Sequence, residues 1–198
     1  MVAATTLSKI KAMRSAGYNV ESIAADLGVK ASNGANMDAV IFRDAVVKWV
    51  RANFHANAGT DVAFYATVKA EDRVHFAACV QSDDMIIQER CIQLAAFGRE
   101  FSELTHVAQN AVMMMLMDQA LRYGLFDLHE WNVGFRLTDS DIDVPVIFDY
   151  SGQKDLRAIY TLYGASRVVE YVGLPYHMCH DSRKIRANMM KMVKKFFG

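Results

Sequence analysis

The chain is predicted to be mainly α, with a helical-bundle core, a small β-hairpin and N- and C-terminal arms. Three observations carry this expectation. Twelve methionines and many alanines favour helix over sheet. Only two prolines, Pro145 and Pro175, interrupt the chain. Apolar residues also recur at helical spacing in its longer segments. With 198 residues, 53% of them hydrophobic, one sizeable core can be buried.

Taken in order, Thr6 to Ala16 reads as a short basic helix closed by Gly17, and Val20 to Leu27 as a second closed by Gly28. Ser32 to Asn36 is a polar break. Met37 to Phe54 is predicted helical from the stripe Val40, Ile41, Val47, Val50 and Phe54. A loop follows over Asn57 to Thr60. Val62 to Val68 and Val74 to Val80 are rich in β-branched and aromatic residues and flank a Glu71-Asp72 corner, which predicts the hairpin. Asp83 and Asp84 sit where acids favour a helix N-terminus, so Met85 to Phe97 is predicted as the next helix. Ser102 or Thr105 is set to cap a further helix that stops before Gly124. Its segment Ala111-Val-Met-Met-Met-Leu-Met117 is apolar on every face, as in a helix buried on all sides. Leu125 to Leu137 is ambiguous. Asp139 to Asp143 is an acidic loop, Val144 to Tyr150 an apolar segment, Asp155 to Tyr171 a helix ending near Gly173, and Asp181 to Phe197 a basic amphipathic helix or tail.

Formal net charge is zero, which argues against a generally basic nucleic-acid binder. Its distribution is uneven. The last 18 residues hold six cations and one acid, which leaves 16 cations against 21 acids in the rest. Basic ends on an acidic middle suit contact with phosphate or with the acidic body of a neighbour. Three scattered cysteines suggest no disulfide framework. The seven-residue run Ala111 to Met117 is far short of the ~20 residues that span a bilayer, so no membrane partner is expected.

Familiar catalytic and metal patterns are missing. No G-x-S-x-G, P-loop or H-E-x-x-H occurs, which predicts a non-enzyme with no cofactor and no metal. Asp139-Ser-Asp-Ile-Asp143 alternates acids as a Ca²⁺ loop does, without the turn glycine or closing glutamate. His177-Met-Cys-His180 has ligand types but no second pair at zinc-finger spacing. Gly17 to Val29 has the outline of a helix-turn-helix, so the alternative function is a DNA-binding regulator; the polar Ser32 to Asn36 stretch is a poor recognition helix.

Three segments in order carry a resemblance: Val107-Ala-Gln-Asn-Ala111 opening an apolar helix, Val144-Pro-Val-Ile-Phe-Asp-Tyr150, and Asp155-Leu-Arg-Ala-Ile-Tyr-Thr161 just after it. From about Phe101 to Val172 the chain resembles the coat proteins of flexuous filamentous plant RNA viruses of the vitivirus and trichovirus type. The resemblance implies a capsid protein that polymerises into a flexible helical filament around single-stranded genomic RNA, in the virion and in host cytoplasm during assembly. It implies residues 1–35 as an N-terminal arm, 36–180 as a helical core domain with an RNA groove, and 181–198 as a basic tail, the arms docking on neighbouring copies. It places Asp149 beside an arginine of that groove, with Arg99 as the nearest candidate, and Ser102, Gln109, Phe148 and Tyr150 near the RNA. An acid that orients a guanidinium leaves its remaining donors for phosphate, which suits sequence-blind binding.

Overall fold

The computed structural model describes residues 2–34, 37–51, 60–136, 144–150 and 153–198. Contacts divide the chain into two compact units. The first is Met1–Thr67 with Ala78–Arg90; the second is Val68–Ala77 with Cys91–Gly198. Both are mixed α/β, which overturns the mainly α bundle with one hairpin: among the described residues the helices share the chain with a five-stranded and a three-stranded antiparallel sheet.

The first unit opens on helices α1 (Ala4–Ser15) and α2 (Val20–Leu27), close to the predicted spans. Asn19 caps α2 by accepting from the Ser22 amide, and Gly28 closes it in the left-handed region at φ 66°. Neither helix is a free arm. Ile10, Val20, Ile23 and Ala24 are buried in a cluster with Val40, Val47, Trp49 and Met85. After Leu27 comes strand β1 (Lys30–Asn33), where a recognition helix would need to start.

The predicted helix from Met37 to Phe54 is instead the hairpin of β2 (Met37–Ile41) and β3 (Ala45–Val50); its residues 52–54 lie outside the described residues. The physical reason lies in the side chains. Val40, Ile41, Val46, Val47 and Val50 are β-branched, stiff in a helix and well packed on a pleated surface. Within β3 the burial alternates strictly, with Ala45, Val47 and Trp49 inward, a period of two that a helical count at three and four mistakes for a stripe. Helix α3 (Thr60–Thr67) occupies most of the predicted hairpin's first strand; a 3-10 turn at Arg73–His75 and strand β4 (Cys79–Ser82) occupy the second. The predicted helix over Met85 to Phe97 is also overturned: it holds β5 (Met85–Glu89) and, in the second unit, β6 (Cys91–Gln93).

Asp83 and Asp84 therefore form the β4–β5 turn rather than a helix start. Asp83 has a φ of 53°. Both acids are tied to α1, Asp83 by Lys11 at 2.9 Å and Asp84 by Arg14 at 2.7 Å. The sheet order is β1-β2-β3-β5-β4, with α3 entering the chain between β3 and β4. Since Ala45, Val47 and Trp49 face inward, Lys48 lies on the opposite face of β3 from the α1–α2 cluster, and it is half-buried there.

In the second unit, β6 pairs with β7 (Val133–Arg136), which pairs with β8 (Pro145–Ile147). Around them stand α4 (Gly98–Glu103), α5 (His106–Tyr123), α6 (Leu156–Val172) and α7 (Ser182–Phe197). The sequence places α5, α6 and α7 well. Thr105 caps α5, Asp155 caps α6, and Gly124 and Gly173 end them at φ 67° and 74°. Met113, Leu116 and Met117 of the all-apolar run are buried, and so are Ile185, Met189 and Val193 along one stripe of α7. The C-terminal segment is thus a helix packed in its own unit against α5 and α6, not an arm. The acidic segment 139–143 lies outside the described residues. Among the described residues no helix is long and apolar enough to cross a membrane.

Two features of the second unit yield measurable outcomes. A Cβ at Gly134 on β7 would collide with the Ile92 carbonyl oxygen of β6, and both are backbone that cannot swing aside. Gly134→Ala is expected to destabilise the protein by about 1–3 kcal/mol, read as a lowered Tm. Buried Asp72 accepts a 2.7 Å hydrogen bond from the Tyr123 hydroxyl on α5, and that bond holds its carboxyl below the usual carboxylate range. A depressed native pKa stabilises above the unfolded value of about 3.9, and that stabilisation is lost as pH falls through the native value. Asp72→Asn is expected to flatten the stability curve below about pH 4, measured by denaturant unfolding at stepped pH.

Candidate functional site

The residues expected to line an RNA groove fall into two places. Arg99 is on α4, 88% exposed, and pairs with Glu103 one turn on at 3.4 Å. The Ser102 hydroxyl donates to the Arg99 carbonyl at 2.6 Å, so it is spent on its own helix. Gln109 is fully buried. Its amide donates to the Phe101 carbonyl at 2.9 Å and its oxygen accepts from the His180 amide at 3.0 Å, which makes it an internal brace between α5 and the lead into α7. Phe148, Asp149 and Tyr150 directly follow β8. Phe148 and Tyr150 are buried and Asp149 between them is half-buried. Among the described residues no ion pair joins Arg99 to Asp149.

What faces Asp149 across the hairpin is a loop that the sequence left ambiguous. Strand β7 and strand β8 pair Val133 with Ile147, and the Phe148 amide extends that ladder to the Asn132 carbonyl at 3.1 Å. Asn132 is therefore the residue opposite Phe148, and Asp149 comes next. The loop Leu125-Phe-Asp-Leu-His-Glu-Trp-Asn132 runs from the end of α5 into β7.

Several bonds fix this loop. Asp127 has a φ of 58°, in the left-handed region that a non-glycine residue enters only when its surroundings hold it there. The Asp127 and Leu128 amides donate to the Tyr171 and Val172 carbonyls at the end of α6, at 3.1 and 2.8 Å. The Asn132 side-chain amide donates back to the Asp127 carbonyl at 2.9 Å and closes the loop on itself. Leu125 and Leu128 are fully buried on either side, so the backbone is anchored while the Asp127 side chain stays exposed. His129 takes a supporting position: its Nδ1 lies 3.3 Å from the Trp131 amide.

The electrostatics follow from these contacts. Asp127 and Asp149 place two carboxylates on successive loops of one unit. Among the described residues no hydrogen bond or ion pair engages the Asp149 carboxylate. The Asn132 amide nitrogen is committed to Asp127, which leaves its oxygen as an acceptor. One carboxylate with one amide oxygen is a donor set that suits Mg²⁺, a cation that keeps several waters and completes its shell with substrate phosphates. Among the described residues no three or more His, Cys, Asp and Glu gather into one group, here or elsewhere. In the His177-Met-Cys-His180 stretch, burial pushes the Cys179 thiol up to about 11, and the His180 ring is spent on the Ser102 carbonyl.

Sequence reasoning reached Asp149 and missed Asp127 and Asn132. The available signal was the run Asp127-Leu-His-Glu-Trp-Asn132 between an apolar helix and a short β segment, with the isolated Asp149 after the next β segment.

No family model matches the chain, and no curated protein matches it. Among solved structures, one titled "High resolution (2.2 A) crystal structure of WbdD" is similar at 11% identity and a TM-score of 0.44, over 84% of this chain. The chain spans 45% of the length of that structure. A likeness of that size supports no statement about function.

The closed loop makes its own prediction. Asn132→Ala removes the bond to the Asp127 carbonyl and is expected to cost about 1 kcal/mol. Hydrogen exchange at the Asp127 and Leu128 amides should quicken, while exchange within α7 stays unchanged.

Proposed function

We propose that the chain is a kinase-like phosphotransferase, which moves the terminal phosphoryl group of a Mg²⁺-bound nucleoside triphosphate to an acceptor hydroxyl. The observation that carries this reading is the Asp127-Leu-x-x-x-Asn132 loop closed on itself by the Asn132 amide, followed by a β-hairpin that ends on Asp149. Protein kinases carry the same two parts: an Asp-Leu-x-x-x-Asn catalytic loop and a metal-binding Asp after the next strands.

Each residue then has a chemical task. Asp127, exposed on a fixed backbone, accepts the proton of the acceptor hydroxyl as its oxygen attacks the γ-phosphorus. The bond from that phosphorus to the bridging oxygen breaks, and a nucleoside diphosphate leaves. Asn132 and Asp149 would hold Mg²⁺, whose charge offsets that of the phosphates when bound. This chain departs from the kinase pattern at three points. Leu125 and Phe126 stand where kinases carry His and Arg. Tyr150 and Ser151 stand in place of Phe and Gly after the metal-binding Asp. The turn between β1 and β2 has a single glycine, Gly34, where kinases have a Gly-rich loop.

The coat-protein reading rests on the resemblance of three sequence segments; of the expectations that went with it, the two-sheet fold replaces the helical bundle, and Arg99 is engaged by Glu103. The two readings are separated by incubating the purified chain with Mg²⁺ and γ-labelled ATP, and in parallel with single-stranded RNA under the electron microscope. Mg²⁺-dependent nucleotide binding and label transfer to serine hydroxyls of a generic acceptor protein support the phosphotransferase. Asp127→Asn is expected to keep nucleotide binding and lower transfer by about 10²–10⁴-fold, the usual contribution of a positioned base. Asp149→Asn should abolish the Mg²⁺ dependence of binding. Long rods that protect RNA, with no nucleotide bound, would replace this reading by the coat-protein one.

A further inference from the structure

In kinases the residue after the metal-binding Asp is a mobile Phe whose packing sets active or inactive states, and a long activation segment beyond it carries the regulatory phosphosite. This chain has neither. Tyr150 takes the Phe position, and only six residues, Tyr150 to Asp155, separate Asp149 from the first residue of α6. Tyr150 is 2% exposed, and its hydroxyl donates to the Ala77 carbonyl at 2.8 Å. Its ring meets Phe76 edge-on at 5.7 Å, and Phe76 in turn meets Tyr123 edge-on at 5.4 Å. The Ala77 amide donates to the Ile147 carbonyl on β8 at 2.9 Å, so the segment that receives the Tyr150 hydroxyl is itself bonded to the strand that delivers Asp149.

We propose that Tyr150 is a positioning residue: its hydroxyl bond to the Ala77 carbonyl clamps the turn after β8 and holds Asp149 in its metal-binding position, so the site is competent without a phosphorylation switch. The inference rests on the phosphotransferase reading above and deepens it. A phenylalanine at this position could rotate out of its pocket at the cost of apolar burial alone. A tyrosine must also leave a buried carbonyl unpaired, and buried polar groups tolerate that poorly. The clamp closes a short loop: Tyr150 to Ala77, Ala77 to Ile147, and Ile147 through Phe148 to Asp149. Moving Asp149 therefore requires breaking a bond that the aromatic trio of Phe76, Tyr123 and Tyr150 shields from water.

The test compares Tyr150→Phe with the unaltered chain and with Asp149→Asn. The first measurement is Mn²⁺ binding in the presence of ATP, followed by electron paramagnetic resonance; the second is the Mg²⁺ concentration needed for half-maximal transfer; the third is hydrogen exchange at the Asp149 and Tyr150 amides without nucleotide. Tm reports folding. For the clamp, Tyr150→Phe folds and lowers Tm only by the few degrees that one buried hydrogen bond contributes. It weakens Mn²⁺ binding and raises the half-maximal Mg²⁺ by about five- to tenfold, the worth of one buried hydrogen bond. It also speeds exchange at the two amides, while maximal transfer at saturating Mg²⁺ is largely recovered. A merely structural tyrosine would lower Tm and leave the metal dependence untouched, which overturns the clamp. If Tyr150→Phe changes nothing while Asp149→Asn abolishes metal binding, the clamp is wrong and the phosphotransferase reading stands. If the unaltered chain binds no Mn²⁺ with ATP, both fall together.

Discussion

The Asn132 side chain carries the constraint on which the geometry of the second unit's candidate site depends. Backbone between a helix and a strand must satisfy its polar groups, and in the 127–132 loop it does so in an ordered way. Two amides are taken by the end of α6, one carbonyl by the Asn132 amide, and the Asn132 carbonyl by Phe148. The left-handed backbone at Asp127 survives because these partners over-determine it. The result is an exposed carboxylate on a rigid support, flanked by the buried Leu125 and Leu128. The general-base role proposed for Asp127 would need this combination of fixed backbone and accessible side chain.

The three-stranded sheet serves the same end from the other side. Gly134 lets β7 approach β6 more closely than any side chain would permit, and β8 follows β7 in register, so that Phe148 lands opposite Asn132. Register in a sheet is an all-or-none property: a slip of one residue would turn Asp149 to the other face. Strand β8 is in turn held by Phe76 and Ala77, and Arg136 braces the same segment through the Val74 and Phe76 carbonyls at 2.8 and 3.0 Å. Few of these groups are charged, and the geometry is held by backbone pairing and apolar burial, which salt does not screen.

The uneven charge that suggested a phosphate binder takes a different form in three dimensions. The six cations near the C-terminus lie along a helix whose apolar stripe is buried, with Arg186 bound to Ser166 and Glu170. The basic residues of α1 are answered by Asp26, Asp83 and Asp84. Surface pairs of this kind contribute little stability each. They do show that the cations of α1 are answered within the first unit, whereas among the described residues of α7 only Arg186 meets an acid.

The sequence by itself determined the elements whose signals are local. Helices α1, α2, α5, α6 and α7 were legible because caps at Asn19, Thr105 and Asp155 and stops at Gly28, Gly124 and Gly173 act within one turn of the chain. The Phe148-Asp149-Tyr150 segment was also visible as unusual, although by a resemblance that pointed to other chemistry. Tertiary structure alone decided the two sheets. Short β-branched runs such as Val40 to Val50 satisfy a helical and an extended period at once, and only cross-strand partners, β3 with β2 and β5, choose between them. The candidate site belongs to the same class. Asp127 and Asn132 look like ordinary loop residues until a side-chain amide joins them, and Asp149 joins them only through the register of a hairpin that no nearest-neighbour pattern encodes.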